Sequence, residues 1–134
     1  MRFDLPLVDE DSAPFWDGAR HGRLMIMRCD DTGQHYFYPR PFSPFTWSTN
    51  VSWVQASGQA TLYTWSVVHR NDLAPWHERV PYIAAVAELR EGPRLQTILV
   101  GCEPEDLTIG MELEVDFEVR TDDLAVPVFR PARG

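Results

Sequence analysis

The 134-residue chain contains no lysine; all 12 of its basic residues are arginine. A GC-rich genome accounts for that bias more simply than any function does. Where arginine does serve a site, its planar fork holds phosphate or carboxylate through two parallel hydrogen bonds. Positive charge is scarce too: 20 acids against 12 bases leave a net charge of −8 and a pI near 4.8. Domains that bind polyanions usually carry a basic patch and a high pI, so nucleic acid is not an expected partner. Cysteine is limited to Cys29 and Cys102, too few and too far apart for a disulfide framework. No apolar run approaches the ~20 residues of a membrane span, so no membrane partner is expected. The N-terminal MRFDLPLVDEDSAPF carries acids where a signal peptide carries an apolar stretch, and the expected compartment is the cytoplasm. Gly-x-Ser-x-Gly, the P-loop, the dinucleotide fingerprint and His-Glu-x-x-His are all missing, which argues against a self-sufficient enzyme of the common types.

What the chain does have is apolar residues at 44%, enough for a real core, within the length of one domain or one domain plus a small appendage. Residues 1–10 read as an extended acidic arm. Asp11 or Ser12 suits a helix N-cap and Pro14 its first turn. Phe15, Trp16 and Ala19 then share a face, and Gly22 is placed to end the helix in a left-handed conformation. So short a helix must dock its aromatic face, either on its own barrel or on a partner. Leu24–Arg28 and His35–Tyr38 read as a hairpin around Asp30-Asp31-Thr32-Gly33, and Pro39, Pro41 and Pro44 then forbid regular structure until about Trp47. Five further strands are expected: 51–56, 59–70, 82–89, 95–100 and 111–119. The last is the clearest, with Leu113, Val115, Phe117 and Val119 alternating with acids. Residues 103–110 suit a short helical turn. Five strands and one helical connector predict a mainly β chain. Residues 1–49 form the arm, helix and ribbon-like hairpin, and 50–134 a five-stranded OB-fold barrel with a C-terminal tail. An SH3-like barrel or small sandwich is the alternative.

Several motifs occur in a recognisable order: Phe15-Trp16-Asp17-Gly18, Gly22-Arg23-Leu24, Cys29 with Gly33, Phe37-Tyr38-Pro39-Arg40, Gly58 with Tyr63, Val67-Val68-His69-Arg70, Pro81-Tyr82, Gly101–Leu107, Gly110-Met111 and Phe129-Arg130-Pro131. Across roughly residues 13–131 this resembles the bacterial and archaeal family in which an N-terminal helix and a rubredoxin-like zinc ribbon precede an OB-fold. The resemblance implies an accessory subunit, itself noncatalytic, in a hetero-oligomer with a thiolase-superfamily enzyme that acts on acyl-CoA. It favours a retro-aldol lyase of steroid side-chain breakdown over an acetyltransferase or thiolase. A single-stranded nucleic-acid binder is the alternative from another class. The family's ribbon carries Cys-x-x-Cys-Gly and then Cys-Pro-x-Cys. Here those positions read Cys29, Thr32-Gly33 and Ser43-Pro44-Phe45-Thr46. One thiol and three hydroxyls suit zinc poorly. No zinc and no tightly held cofactor are expected, with Phe42, Phe45 and Trp47 packing in the metal's place; His35 can join Cys29, but two ligands do not make a structural site.

Given that setting, the residues expected to face acyl-CoA or the partner are Arg40, Tyr63, Trp65, His69, Arg70, Trp76 and Arg130, and those expected to dock the partner are Phe15, Trp16, Phe42 and Phe45. His69 to Arg79 fall in one long loop between strands, a common place for binding residues, where His69 and Asp72 can also be read as an acid–base pair or the whole as a solvated loop. Trp47, Trp53, Tyr63 and Trp65 suit either a stacking platform or core packing. Arg40, Arg70, Arg79, Arg130 and Arg133 suit either CoA phosphates or surface ion pairs. Cys102, beside Glu103, is not an activated nucleophile, because neighbouring acids raise a thiol pKa.

Overall fold

The computed structural model describes residues 12–69, 81–121 and 124–132. Helix α1 (Ala13–Arg20) begins with Pro14 in its first turn. It ends as the sequence predicts. Gly22 adopts φ +74°, the Gly22 amide donates to the Ala19 carbonyl (3.1 Å) and the Arg23 amide to that of Gly18 (2.8 Å), a Schellman pair. The helix buries Phe15, Gly18 and Ala19 and packs on the chain's own strands β1 (Met25–Cys29), β7 (Glu112–Thr121) and β8 (Leu124–Pro131). Gly18 lets it approach that closely: a Cβ there would sit 2.5 Å from Met25 Cγ.

β1 pairs with β2 (His35–Tyr36) on one side and β3 (Val51–Gln55) on the other, giving an antiparallel sheet of order β2-β1-β3. β4 (Gln59–Val68), β5 (Tyr82–Leu89), β6 (Arg94–Leu99), β7 and β8 form a closed barrel of order β4-β5-β6-β8-β7. Closure removes the exposed edges that so β-rich a chain would otherwise present. No described helix is long and apolar enough to cross a membrane.

The barrel's strand inventory differs from the expected one in two places. Val51–Gln55 was expected in the barrel but pairs with β1 along its whole length, from Met25↔Gln55 to Cys29↔Val51. The fifth barrel strand is instead β8, drawn from the expected tail, which runs antiparallel to β7 from Leu113↔Pro131 to Thr121↔Leu124. Pro127 and Pro131 disguise β8, since proline cannot donate to a ladder. They are tolerated because β8 meets β6 at the single pair Leu99↔Phe129, so one flank of the strand asks for few donors. The second hairpin strand is also shorter than the expected 35–38, because the chain turns off the sheet at Phe37. The helical turn expected at 103–110 is a single 3-10 turn, Pro104–Asp106, where the Glu103 amide donates to the Asp106 carboxylate at 3.1 Å.

One core serves both sheets. Phe15 from the helix, Leu24 just before β1, Ile26 from β1, and Ala56 from the crossover join Leu62, Leu89, Leu95, Leu113 and Phe129 of the barrel in one buried cluster. Gly58 carries the chain across with φ +83°, and a Cβ there would lie 2.7 Å from Val115 Cγ1.

Candidate functional site

The ribbon is where sequence and geometry meet most closely. Cys29 ends β1 and is fully buried. The following turn closes when the Gly33 amide donates to the Cys29 carbonyl (2.8 Å) with Gly33 at φ +78°, and it brings Thr32 back to the sulfur. A second loop, 43–48, closes through the Ser43 amide to the Ser48 carbonyl (2.7 Å) and the Trp47 amide to the Ser43 carbonyl (2.9 Å). Ser43 is fully buried, and its Oγ accepts from the amides of Phe45 (3.1 Å) and Thr46 (3.3 Å). Thr46 Oγ1 lies 3.9 Å from Cys29 Sγ. Hydrogen bonds from Ser43 and then Thr32 hold the Cys29 thiol down to about 7, outweighing the upward push of burial. The four positions that carry thiolates in the resembling family thus converge on one point here, as one thiol and three hydroxyls.

That set does not fit zinc. Tetrahedral structural sites take four Cys or His donors, and neutral hydroxyls are poor substitutes. Among the described residues no three His, Cys, Asp or Glu side chains gather within reach of one ion. His35, weighed above as a companion to Cys29, pairs across the strands with Arg28 and so lies on the opposite face of β1 from Cys29.

Aromatic side chains frame this knot. The Tyr36 hydroxyl donates to the Arg40 carbonyl at 3.0 Å, and its ring meets Phe45 edge-on at 6.3 Å. Phe42 and Trp47 stack at 5.5 Å and 16°. Trp47 is 75% exposed and adopts φ +64°, the one non-glycine positive φ among the described residues. Tyr38 and Phe45 are also exposed, and the exposed Arg40 guanidinium lies 6.0 Å from the Phe42 ring.

The other expected site residues scatter. Phe15 is 6% exposed and sits in the core edge-on to Trp16 and Phe37, so its ring serves this chain's own packing where docking was expected; Trp16 is half-buried against the same cluster. The four candidate platform aromatics have three settings: Trp53 and Trp65 pack against the core, Trp47 stands on the ribbon loop, and Tyr63 lies outside the barrel under Arg94, 3.9 Å from its guanidinium. Arg94 is tied to Glu88 (2.8 Å). Arg130 lies 3.5 Å from both Glu114 and Asp116, so the acidic β7 face holds the nearest counterions of a candidate phosphate ligand. His69 is exposed at the end of β4. Arg70, Asp72, Trp76, Arg79 and Arg133 lie outside the described residues, so the His69–Asp72 pair has no geometry here. The Cys102 thiol is raised by burial, then by Asp106 and Glu103, in line with its expected inertness.

Two features were not foreseen. A cavity of about 510 Å³ opens where β4, β5 and β7 meet, lined in part by Gln59, Arg90, Glu112 and Glu114. These residues are far apart in sequence, and only the barrel's closure through Ala60↔Leu113 brings them together. On the outward side of β4, β5 and β6, the rows Thr64–Val86–Gln96, Ser66–Ala84–Ile98 and Val68–Tyr82 contain no charged side chain, on a chain that is 24% charged. An uncharged face reads in sequence as ordinary strand residues until the register aligns them.

A helix, a three-stranded ribbon and a five-stranded closed barrel sharing one core define the ribbon-plus-OB-fold class. Comparison with known proteins narrows this. Residues 16–51 match the model described as "ChsH2, rubredoxin-like zinc ribbon domain", and residues 53–118 match "ChsH2, C-terminal OB-fold domain". The chain is 37% identical over 103 residues to a "DUF35 domain-containing scaffold protein" of Methanocaldococcus jannaschii, covering 75% of this chain and 71% of that one. It is 36% identical over 129 residues to a "Probable enoyl-CoA hydratase alpha subunit" of Thermomonospora curvata, covering 95% of this chain; it spans only 39% of that relative's length. Among solved structures, a chain of the "Ltp2-ChsH2(DUF35) aldolase" superposes with a TM-score of 0.83 at 35% identity, over 95% of this chain and 98% of that one. The chain belongs to the DUF35 family of ChsH2-type ribbon and OB-fold proteins.

Proposed function

We propose that this chain is a noncatalytic subunit of a hetero-oligomeric enzyme acting on acyl-CoA, with a thiolase-superfamily partner and a retro-aldol cleavage as the reaction. The observation that carries the reading is the superposition on nearly the full length of both this chain and the DUF35 chain of a two-component aldolase. The exposed ribbon aromatics Tyr38, Phe45 and Trp47 and the uncharged outer face of β4 to β6 support this reading as candidate anchors and ground for a protein partner. Interfaces of ordinary size bury about 1,600 Å² in total, and exposed aromatics are over-represented in their centres. In this reading the partner holds the reacting groups, and acyl-CoA is a substrate shared across the interface. The steroid side-chain setting implied by the resemblance belongs to the same proposal. A hydratase partner is the second reading, favoured by the name of the Thermomonospora relative.

The test is co-expression with candidate thiolase-fold and hydratase-fold partners, followed by gel filtration and assay of the co-eluting complex. A β-hydroxyacyl-CoA cleaved to a ketone or aldehyde plus a shorter acyl-CoA supports the lyase reading, and steroid against short-chain thioesters sets the substrate class. Reversible hydration of an enoyl-CoA supports the second reading instead. Separate elution from both partners, each fully active alone, overturns both.

A further inference from the structure

We propose that a hydrogen-bonded thiol–hydroxyl knot, with Ser43 as its hub, takes the structural place of zinc in this ribbon. The accounting of donors and acceptors leads there. A serine hydroxyl has one hydrogen to give and two lone pairs to accept with. Ser43 Oγ spends its lone pairs on the amides of Phe45 and Thr46, which forms a tight turn of the kind serine favours. Its remaining hydrogen is left to donate to the Cys29 sulfur, buried like Ser43 itself, and a Ser43 hydrogen bond is the largest influence lowering that thiol's pKa. Thr46 Oγ1 accepts the Ser48 amide at 3.3 Å and faces the same sulfur at 3.9 Å. Thr32 approaches from the first turn, where its Oγ1 also accepts the Gln34 amide at 3.2 Å.

Each of the three hydroxyls therefore fixes its own loop by accepting backbone N–H groups and keeps a hydrogen with which to donate to the sulfur. The sulfur, fully buried, collects them. A zinc ion does the same job with the opposite polarity, as a central cation gathering anionic thiolates. Here a central acceptor gathers neutral donors. Ser43 and the sulfur are fully buried while Thr32 and Thr46 lie at the surface, and a hydrogen-bonded cluster anchored in this way rigidifies the two loops. The knot does not depend on which enzyme the chain accompanies.

The experiment measures metal in the purified full chain and its thermal midpoint with and without a strong chelator. The wild type should hold less than about one zinc per ten chains, with a Tm unmoved by chelator; about one zinc per chain, or a chelator-induced drop of several degrees, overturns the proposal. Ser43→Ala should lower Tm by about 5 °C or more, while Ser43→Thr keeps most of it; an unchanged Tm for Ser43→Ala overturns the hub role. The triple variant Thr32→Cys/Ser43→Cys/Thr46→Cys restores four thiolates on the same corners. If it folds, it should take up about one zinc per chain and become chelator-sensitive, and a folded triple variant that binds no zinc overturns the convergence of the four positions.

Discussion

Replacing Trp47 with glycine separates what the ribbon loop does for this chain from what it does for a partner. Trp47 is 75% exposed, so its removal forfeits little burial. It holds φ +64°, a conformation that costs a side-chain-bearing residue roughly 1–2 kcal/mol and glycine almost nothing. Its stack on Phe42, at 5.5 Å and 16°, is worth about 0.5–1.5 kcal/mol. Glycine also brings a larger unfolded-state entropy, a cost of about 0.5–1 kcal/mol. Relief of strain offsets the two losses, and the net effect stays within about 1 kcal/mol, or a Tm change of about 4 °C or less for a chain of this size. Trp47→Ala keeps the backbone strain while losing the stack, so it should melt below Trp47→Gly, by about 1 kcal/mol. Partner binding should respond quite differently. A tryptophan at the centre of an interface is commonly worth 2 kcal/mol or more, about 30-fold or more in Kd. The assay pairs a thermal melt of the isolated chain with isothermal titration against the partner subunit. A Tm drop beyond about 10 °C would show that Trp47 holds the fold together, and an unchanged Kd would show that this loop does not touch the partner; either refutes the reasoning.

Phe129 is fully buried in the one strand that joins β6 to β7, so Phe129→Ala should cost about 3–5 kcal/mol and lower the urea midpoint accordingly; a shift under 1 kcal/mol would mean that β8 does not close the barrel. Cys29 gives a pH signature. Its thiol lies near 7 in the folded chain against 9.0 ordinarily, so the folded state releases its proton first. Its contribution is complete above pH 9 and lost as pH falls through 7. The wild-type Tm should therefore climb from pH 7 to 9 relative to Cys29→Ser, and parallel profiles for the two proteins would count against the hydrogen-bonded sulfur.

Much of this fold was legible because the signals were local. Pro14 and Gly22 bracket α1, Gly33 turns the hairpin, and the alternation from Leu113 to Val119 marks β7. What the chain does not spell out is which strand pairs with which. Val51–Gln55 has the composition of any half-buried strand, and nothing in it says that Cys29 rather than a barrel strand is its neighbour. β8 was hidden by its two prolines, whose acceptability depends on a flank that hardly pairs. The positions that carry zinc ligands in the resembling family were recognisable only through that resemblance, since Cys29 alone keeps its thiol. Ser43's role was not, because it depends on two amides that only the folded 43–48 loop aims at its oxygen. The cavity and the uncharged face are likewise products of register across β4, β5, β6 and β7.

On the proposal that the knot replaces zinc, the shared core is what lets this ribbon do without a metal. A free ribbon of some 35 residues is too small to bury enough apolar surface, and domains below ≈ 40 residues usually need a metal, disulfides or association. In this chain the ribbon is not free. Leu24 and Ile26 enter the same cluster as Leu62, Leu113 and Phe129, and Phe15 from α1 is buried there with them. The Ala56 amide donates to the Leu24 carbonyl at 2.8 Å, tying the end of the ribbon to its beginning just before the chain enters the barrel. With the base of the ribbon held by the barrel core, its tip, loops 29–33 and 43–48, lies outside that cluster, and there the proposed hydroxyl–thiol knot sits. A few well-placed hydrogen bonds, each worth about 1 kcal/mol net, are the right scale for pinning two short loops, though far too small to fold an isolated ribbon. By the same reasoning the knot should fail where the barrel fails. A barrel-destabilised chain such as Phe129→Ala should lose ribbon and barrel in one transition, seen as coincident melting of tryptophan fluorescence and far-ultraviolet dichroism, whereas a ribbon held by its own metal would melt separately and later.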